Sequence, residues 1–515
     1  MSVQTKYPGV YITEIPSGSR SIVGVATSIT AFVGSAARGP ENTPLTIFSF
    51  GDFERAFGGL SKKHALAYLV RDFYLNGGGE AVIVRVSNTG TGVTSATASG
   101  VLDSLTLDAN GSGEWGNALR GTVTHLADAT AAADVAASQG VTANDLFDLT
   151  IADSAPGGET EVYRNVTVVD GPRRLDLVLA SSRLVTSPTL PLPLTRPNEV
   201  PATAFTGGAD GDGIDAADYV GDENHKTGIW ALLKADLVNL VCLAPPGVAS
   251  DVPATAWQEA AKYCDAHRAF LVVDMPAATD TTGAATTFAG TTLGISGTVG
   301  RNAAVYFPRL RYADPLRGGA ISDFPASGAI AGTIARTDAQ RGVWKAPAGT
   351  EAGLNGVNGL SVTLTDNENG ELNPLGINCL RTFRGVGSVV WGARTLRGSD
   401  VLADEYKYIP VRRLALFLEE TLYRNTQWVV FEPNDEPLWA EIRASVGAFM
   451  QDLFRRGAFQ GASPRDAYFV HCDSDTTTQY DIDRGVVNIR VGFAPLKPAE
   501  FVVIGIQQKA ASATA

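Results

Sequence analysis

Between residues 201 and 400, short apolar runs rich in β-branched residues alternate with stretches of helical period, and this alternation constrains the fold more than any other feature of the chain. Leu237 to Leu243 reads as a buried strand closed by Pro245-Pro246. A helix fits Trp257 to His267, and Phe270 to Val273 is the next strand. Ala303 to Phe307 is another, stopped by Pro308, and a helical pattern runs from Ala326 to Arg341. Strands that are apolar on both faces must be covered on both faces. Joining them through helices produces a mostly parallel sheet, so the fold class is α/β with α+β elements.

Two flanking segments read the same way. Residues 21–87 form the first part of the α/β core. Ala31-Phe32-Val33-Gly34 is a buried strand, and Ser61 is placed to cap the following helix. The stripe of that helix is Ala65, Leu66, Leu69, Val70 and Phe73, and Ala81 to Val86 is the next strand. Residues 401–508 form a C-terminal α/β unit. It has a helix over Val411 to Asn425, a strand over Trp428 to Phe431 and a long helix over Leu438 to Arg456 that Gly457 ends. The strands Val486 to Phe493 and Phe501 to Ile506 close it, and residues 509–515 are a small-residue flexible tail.

Residues 88–200 break the pattern. The stretch has no lysine and is dominated by Thr, Ala, Ser, Gly and Asp. Short β-like pieces recur at Ser104 to Leu107, Val166 to Val169 and Leu175 to Leu179, which predicts an inserted, mostly β domain. Residues 1–20 read as an extended arm. Val10 to Ile15 is β-prone and isolated by Pro8-Gly9 and Pro16, so this strand needs a sheet elsewhere to join.

Composition narrows the function classes. Only 18% of the residues are charged, which suits a surface packed against other protein. The net charge of -13 disfavours nucleic acid and anionic membranes. No run approaches 18 apolar residues, and the N-terminal sequence has no basic leader before an apolar core, so neither stable membrane insertion nor a signal peptide is expected. Cys242, Cys264, Cys379 and Cys472 are widely spaced and read as reduced thiols, which fits assembly in a cytoplasm.

Catalytic signatures are missing. There is no phosphate-cradling G-x-x-x-x-G-K-[ST] loop, no G-x-S-x-G elbow and no H-E-x-x-H pair. Asp210-Gly211-Asp212-Gly213-Ile214-Asp215 starts like a calcium loop, but the sixth and twelfth places hold Asp215 and Gly221 instead of Gly and Glu; a turn is the better reading. Asp473 and Asp475 beside three threonines read as a capping turn, not as an acid–base pair. No cofactor, metal or catalytic residue is expected. These features define a multidomain, acidic, non-secreted assembly protein. An enzyme on the α/β core, or a non-contractile tube or baseplate component, would be the competing classes.

Longer motifs go further. Tyr7-Pro8-Gly9-Val10-Tyr11, Phe32-Val33-Gly34 with Gly39-Pro40, Gly113-x-Trp115-Gly116-Asn117 and Val343-Trp344-Lys345-Ala346-Pro347 occur in order. So do Val390-Trp391-Gly392-Ala393-Arg394-Thr395-Leu396, Tyr408-Ile409-Pro410-Val411-Arg412-Arg413, Phe431-Glu432-Pro433-Asn434 and Ala494-Pro495-x-Lys497-Pro498. In these the chain resembles the contractile tail sheath family of phages, bacteriocin-like particles and related injection systems. The resemblance implies a multidomain tail-sheath fold with extended terminal arms, an inserted outer domain and no enzymatic activity. It implies hexameric rings of self-associated copies stacked helically on an inner tube protein, with baseplate and tail terminator or cap proteins as further partners. Assembly would take place in the bacterial host cytoplasm, and contraction would drive the tube through a target envelope.

The resemblance also implies strand exchange between copies. The expected donor is the arm with Tyr7, Pro8, Gly9, Val10, Tyr11, Ile12 and Ile15. The expected acceptor strands carry Val486, Ile489, Val491, Phe493, Phe501, Val503 and Ile504. The expected tube-facing residues lie on the helix after Pro437: Glu441, Arg443, Asp452, Arg455 and Arg456.

Overall fold

The apolar runs lie side by side in one sheet. The structure is a computed structural model that describes residues 20–90, 92–126, 129–186, 192–193 and 195–504. The chain divides into two units, one made of Thr27–Arg341 with Ala346–Arg412, the other of the segments up to Ala26, Gly342–Lys345 and from Arg413 onward.

The larger unit begins with β1 (Thr30–Gly34), β2 (Leu45–Ile47) and β3 (Ala81–Arg85). The helix Leu66–Leu75 precedes β3 and buries Leu66, Leu69, Val70 and Phe73. Ser61 does not cap it. The residue before the helix is Ala65, with no side-chain cap bond, and the Ser61 hydroxyl accepts the Lys63 N–H instead.

The chain then enters the lysine-free stretch. β4 (Ser99–Leu102) and β5 (Leu105–Asp108) form an antiparallel pair. β6 (Leu119–Thr124), β7 (Leu146–Asp153), β8 (Thr160–Thr167) and β9 (Val200–Ala204) form an antiparallel sheet in the order β8-β7-β6-β9. Their inward residues, among them Leu107, Leu119, Phe147, Ile151 and Val166, make a core of their own, which Phe205 completes. Leu175 to Leu179 is a helix, not the strand its alternation suggests. Leu175 and Leu179 are four apart, so both reach the core from one helical face.

The main sheet resumes with β10 (Leu240–Leu243), β11 (Phe270–Asp274) and β12 (Ala303–Phe307). β13 (Leu310–Asp314), β14 (Ala320–Phe324) and β15 (Gly359–Leu360) form a small antiparallel sheet. β16 (Ile377–Phe383) and β17 (Gly387–Val390) finish the large one, whose order is β17-β16-β12-β11-β10-β1-β3-β2. It is parallel from β16 through β3 and antiparallel at both edges. β1, β3, β10, β11 and β12 are buried along their whole length, as strands covered on both faces must be. The helix Ala254–Ala266 covers one face. The helix Ser327–Arg341 starts on Asp274 at the end of β11, whose carboxylate accepts the Ala326 and Ser327 N–H groups at 2.7 and 2.8 Å.

Candidate assembly surface

The smaller unit is built around the helix Glu436–Arg455. Asp435 caps its start through the Leu438 N–H, and Pro437 sits in its first turn. Leu438, Trp439, Ile442, Val446, Phe449, Met450 and Leu453 line its buried face, and Leu414 and Leu418 of the preceding helix pack into the same cluster. Gly457 follows the helix with φ 77°. Trp428 to Phe431 is not a strand. Gln427–Val429 is a single 3-10 turn, and Phe431 has φ 72°, which a strand excludes.

β18 (Tyr468–His471) and β19 (Arg490–Phe493) lie beside this helix as an antiparallel pair, and no other described strand joins them. Of the expected acceptor residues, Val491 and Phe493 are therefore in a strand, whereas Val486 and Ile489 precede it. A tight network holds the connection between the strands. The Asp473 carboxylate accepts the Asp475 and Thr476 N–H groups at 3.0 and 3.1 Å, and the Thr477 hydroxyl accepts the Asn488 N–H at 3.0 Å. Asp473 is thus the organiser of a turn. Desolvation pushes the buried Cys472 thiol up to about 11, so it stays protonated and unreactive.

The Ala494 N–H donates to the Ala467 carbonyl at 2.8 Å, which fixes the phase of the ladder. Phe469–Gly492 and His471–Arg490 are then the hydrogen-bonded pairs. The backbone groups of Val470 on one edge, and of Val491 and Phe493 on the other, point away from the partner strand. On the solvent face the Phe469 ring lies over Gly492, where a Cβ would meet it at 2.2 Å. Phe469 remains 50% exposed, and Tyr468, Val470, Val491 and Phe493 are only partly buried against the helix. A two-stranded sheet half covered in this way is marginal alone.

Downstream, Phe501, Val502, Val503 and Ile504 are 75 to 94% exposed. The strand expected over Phe501 to Ile506 is not formed over its described residues: Phe501, Val503 and Ile504 pair with nothing there. Gly505 and Ile506, and the arm residues Tyr7, Pro8, Gly9, Val10, Tyr11, Ile12 and Ile15, lie outside the described residues.

The expected tube-facing set splits. Glu441 is half-buried, with Arg20 at 3.8 Å. Arg443 donates to the Cys472 carbonyl and the Glu436 carboxylate, and the bond to Glu436 raises its pKa above the ordinary guanidinium value. Both side chains are partly exposed and engaged by neighbouring groups. Asp452, Arg455 and Arg456 are exposed. The acidic run near residue 210 is a set of turns. Asp210 pairs with Lys63 at 2.6 Å and accepts the Glu114 N–H, Asp212 accepts the Val93 N–H, and Asp215 caps the helix Ala216–Val220. Sequence reasoning missed the left-handed, fully exposed Phe431 and the Phe469–Gly492 stack. Phe431 stands in the motif Phe431-Glu432-Pro433-Asn434, but a motif carries neither its backbone angle nor its exposure, and the Phe469–Gly492 contact appears only once the register is known.

Two family profiles match the chain. "Phage tail sheath protein central domain" covers residues 219–396, and "Phage tail sheath C-terminal domain" covers residues 403–509, together more than half of the chain. The chain belongs to the contractile tail sheath protein family. Members of this family are structural, and this chain is a structural protein, not an enzyme. A tail sheath protein of Vibrio phage KVP40 is 29% identical over 181 residues, 35% of this chain and 26% of the relative. A prophage major tail sheath protein of Pseudomonas aeruginosa is 27% identical over 178 residues, 34% of this chain and 44% of the relative. The chain thus spans under half the length of these sheath relatives. In fold it resembles the sheath of the extracellular contractile injection system PVC in its contracted state, with TM-score 0.57, 24% identity and 99% of both chains covered. The crystal structure of a sheath tail protein from Listeria innocua gives TM-score 0.59 at 15% identity, over 92% of this chain and 96% of that one.

Proposed function

We propose that this sheath-family chain polymerises with copies of itself as stacked hexameric rings around an inner tube protein, and that contraction of the array drives the tube through a target envelope. The observation that carries this is the run Phe501 to Ile504: four consecutive exposed apolar residues, β-prone, downstream of a two-stranded sheet that no other described strand joins. Such a run is an aggregation liability in a monomer and a strand in waiting in a polymer. In this reading the β18–β19 sheet is completed by strands from other copies. The arm Val10 to Ile15 and the Phe501 segment are the donors, and backbone hydrogen bonds carry the link. Asp452 and Arg455 face the tube. The segment 88–200, with its own core, lies on the outside of the particle. Baseplate and terminator or cap proteins bind the ends, and assembly takes place in the bacterial cytoplasm. Among the described residues no helix is long and apolar enough to cross a membrane.

Removal of residues 1–16 tests the reading. Wild type should form sedimentable tubes or ring stacks in electron micrographs. The truncated chain should keep its circular dichroism spectrum and stay soluble. Normal tubes from the truncated chain would refute strand donation by the arm, and wild-type protein that never polymerises would refute the sheath-subunit reading.

A further inference from the structure

Phe431 stands fully exposed, at 103% of its reference area, on a backbone with φ 72°. A bulky side chain rarely adopts this left-handed conformation, which glycine takes without strain. An exposed ring contributes nothing to its own core, so the fold carries strain there with no return in packing. The loop is nevertheless pinned on both sides of the ring. The Glu432 N–H donates to the Val429 carbonyl at 3.2 Å. Asn434 donates to the Val486 carbonyl and accepts the Trp439 indole N–H, both at 2.9 Å. A strained residue held rigidly and presented to solvent points to a role outside the monomer.

Charge suggests what meets it. Glu432, Asp435 and Glu436 are exposed around the ring, at the start of the helix Glu436–Arg455. That helix has 20 residues, so its other end lies about 30 Å away. There Arg455 and Arg456 are exposed, and the Arg456 guanidinium stacks 5.4 Å from the centre of the partly buried Trp344 ring. An acid-rimmed aromatic knob thus precedes one end of the helix, and an aromatic surface with two arginines stands at the other, where the Arg456 guanidinium also has the exposed Asp452 carboxylate at 3.8 Å.

We propose that Phe431 is a docking knob for a second copy of this chain, seated on the Trp344–Arg456 surface of the next copy. The ring meets an indole and a guanidinium, and the Glu432 carboxylate beside the ring meets Arg456. Knob and socket are different patches, so the contact is head-to-tail and propagates instead of closing a dimer. The inference rests on the self-assembly reading above and names a contact separate from strand exchange.

Phe431→Gly is the decisive variant, because glycine relieves the backbone strain while removing the knob. Its Tm should equal or exceed that of wild type, and the concentration needed for polymer should rise about 30-fold, as loss of an aromatic anchor at an interface centre implies. Arg456→Glu should also impair assembly. A 1:1 mixture of the two variants should form dimers, since one intact knob and one intact socket remain. Wild-type protein that fails to polymerise would count against the sheath reading itself. If wild type polymerises, the knob is overturned by any of four results: Phe431→Gly polymerises at the wild-type concentration; its Tm falls; it assembles normally alone but no longer co-pellets with tube protein; or the mixture yields no dimers.

Discussion

Replacing Val491 with proline should block polymerisation while leaving the subunit folded. The ladder phase set by Ala494 and Ala467 turns the Val491 N–H away from β18, toward the edge that no described strand covers. Proline is tolerated at an edge position whose N–H faces outward. An incoming strand would lose one hydrogen bond there and leave its own carbonyl unpaired. Orphaning a buried partner costs about 1–3 kcal/mol, and 2 kcal/mol is roughly 30-fold in the concentration needed for assembly. The control lies one residue away. The Gly492 N–H faces β18, and the Phe469 ring occupies the space above Gly492, so Gly492→Pro should break the β18–β19 pair and lower Tm. Val470→Pro probes the opposite edge in the same way. Sedimentation of polymer against protein concentration, with thermal melts by circular dichroism, reads all three variants. The edge whose proline prevents assembly is the acceptor. If Val491→Pro and Val470→Pro both polymerise like wild type, strand addition to this sheet is wrong; a harmless Gly492→Pro would show the phase to be misassigned.

Two further outcomes are expected. Desolvation lowers the pKa of His64, beside Ser35 at 3.0 Å, to about 4 in the folded chain, so between pH 6.5 and 4 the unfolded chain binds more protons and stability drains as pH falls through that window. His64→Gln should therefore lose less Tm than wild type between pH 7 and 4.5, and equal losses would rule this histidine out as a source of acid sensitivity. Arg455→Glu should reduce co-pelleting with tube protein at low salt with Tm unchanged, and undiminished co-pelleting would remove Arg455 from the tube surface.

The large sheet was legible because its strands are buried on both faces. Continuous apolar runs such as Ala303 to Phe307 can be little else when proline stops them and helical periods separate them. The helix Glu436–Arg455 was legible for a similar reason: its apolar stripe spans the whole length and Gly457 marks its end, although the start expected at Leu438 lies two residues earlier, where Asp435 caps it. Short or half-buried pieces were not. Leu175 to Leu179 satisfies a strand period and an i, i+4 helical pair equally, and only the core it packs against chose the helix. Ser61 looked like a cap, but backbone geometry carried the helix start on to Leu66. Arg443 looked free from its position in the helical pattern, yet the chain around Cys472 supplied a carbonyl that engages it.

The sequence by itself determined the family, through ordered motifs spread over most of the chain, and the mostly parallel core, through the burial its apolar runs demand. Tertiary structure alone decided which backbone groups of the C-terminal strand pair point away from it. It also decided that Phe469 covers Gly492 and that Phe431 stands strained in solvent. Each of these depends on register, or on a single backbone angle set by contacts distant in sequence, and a pattern of residue types carries neither.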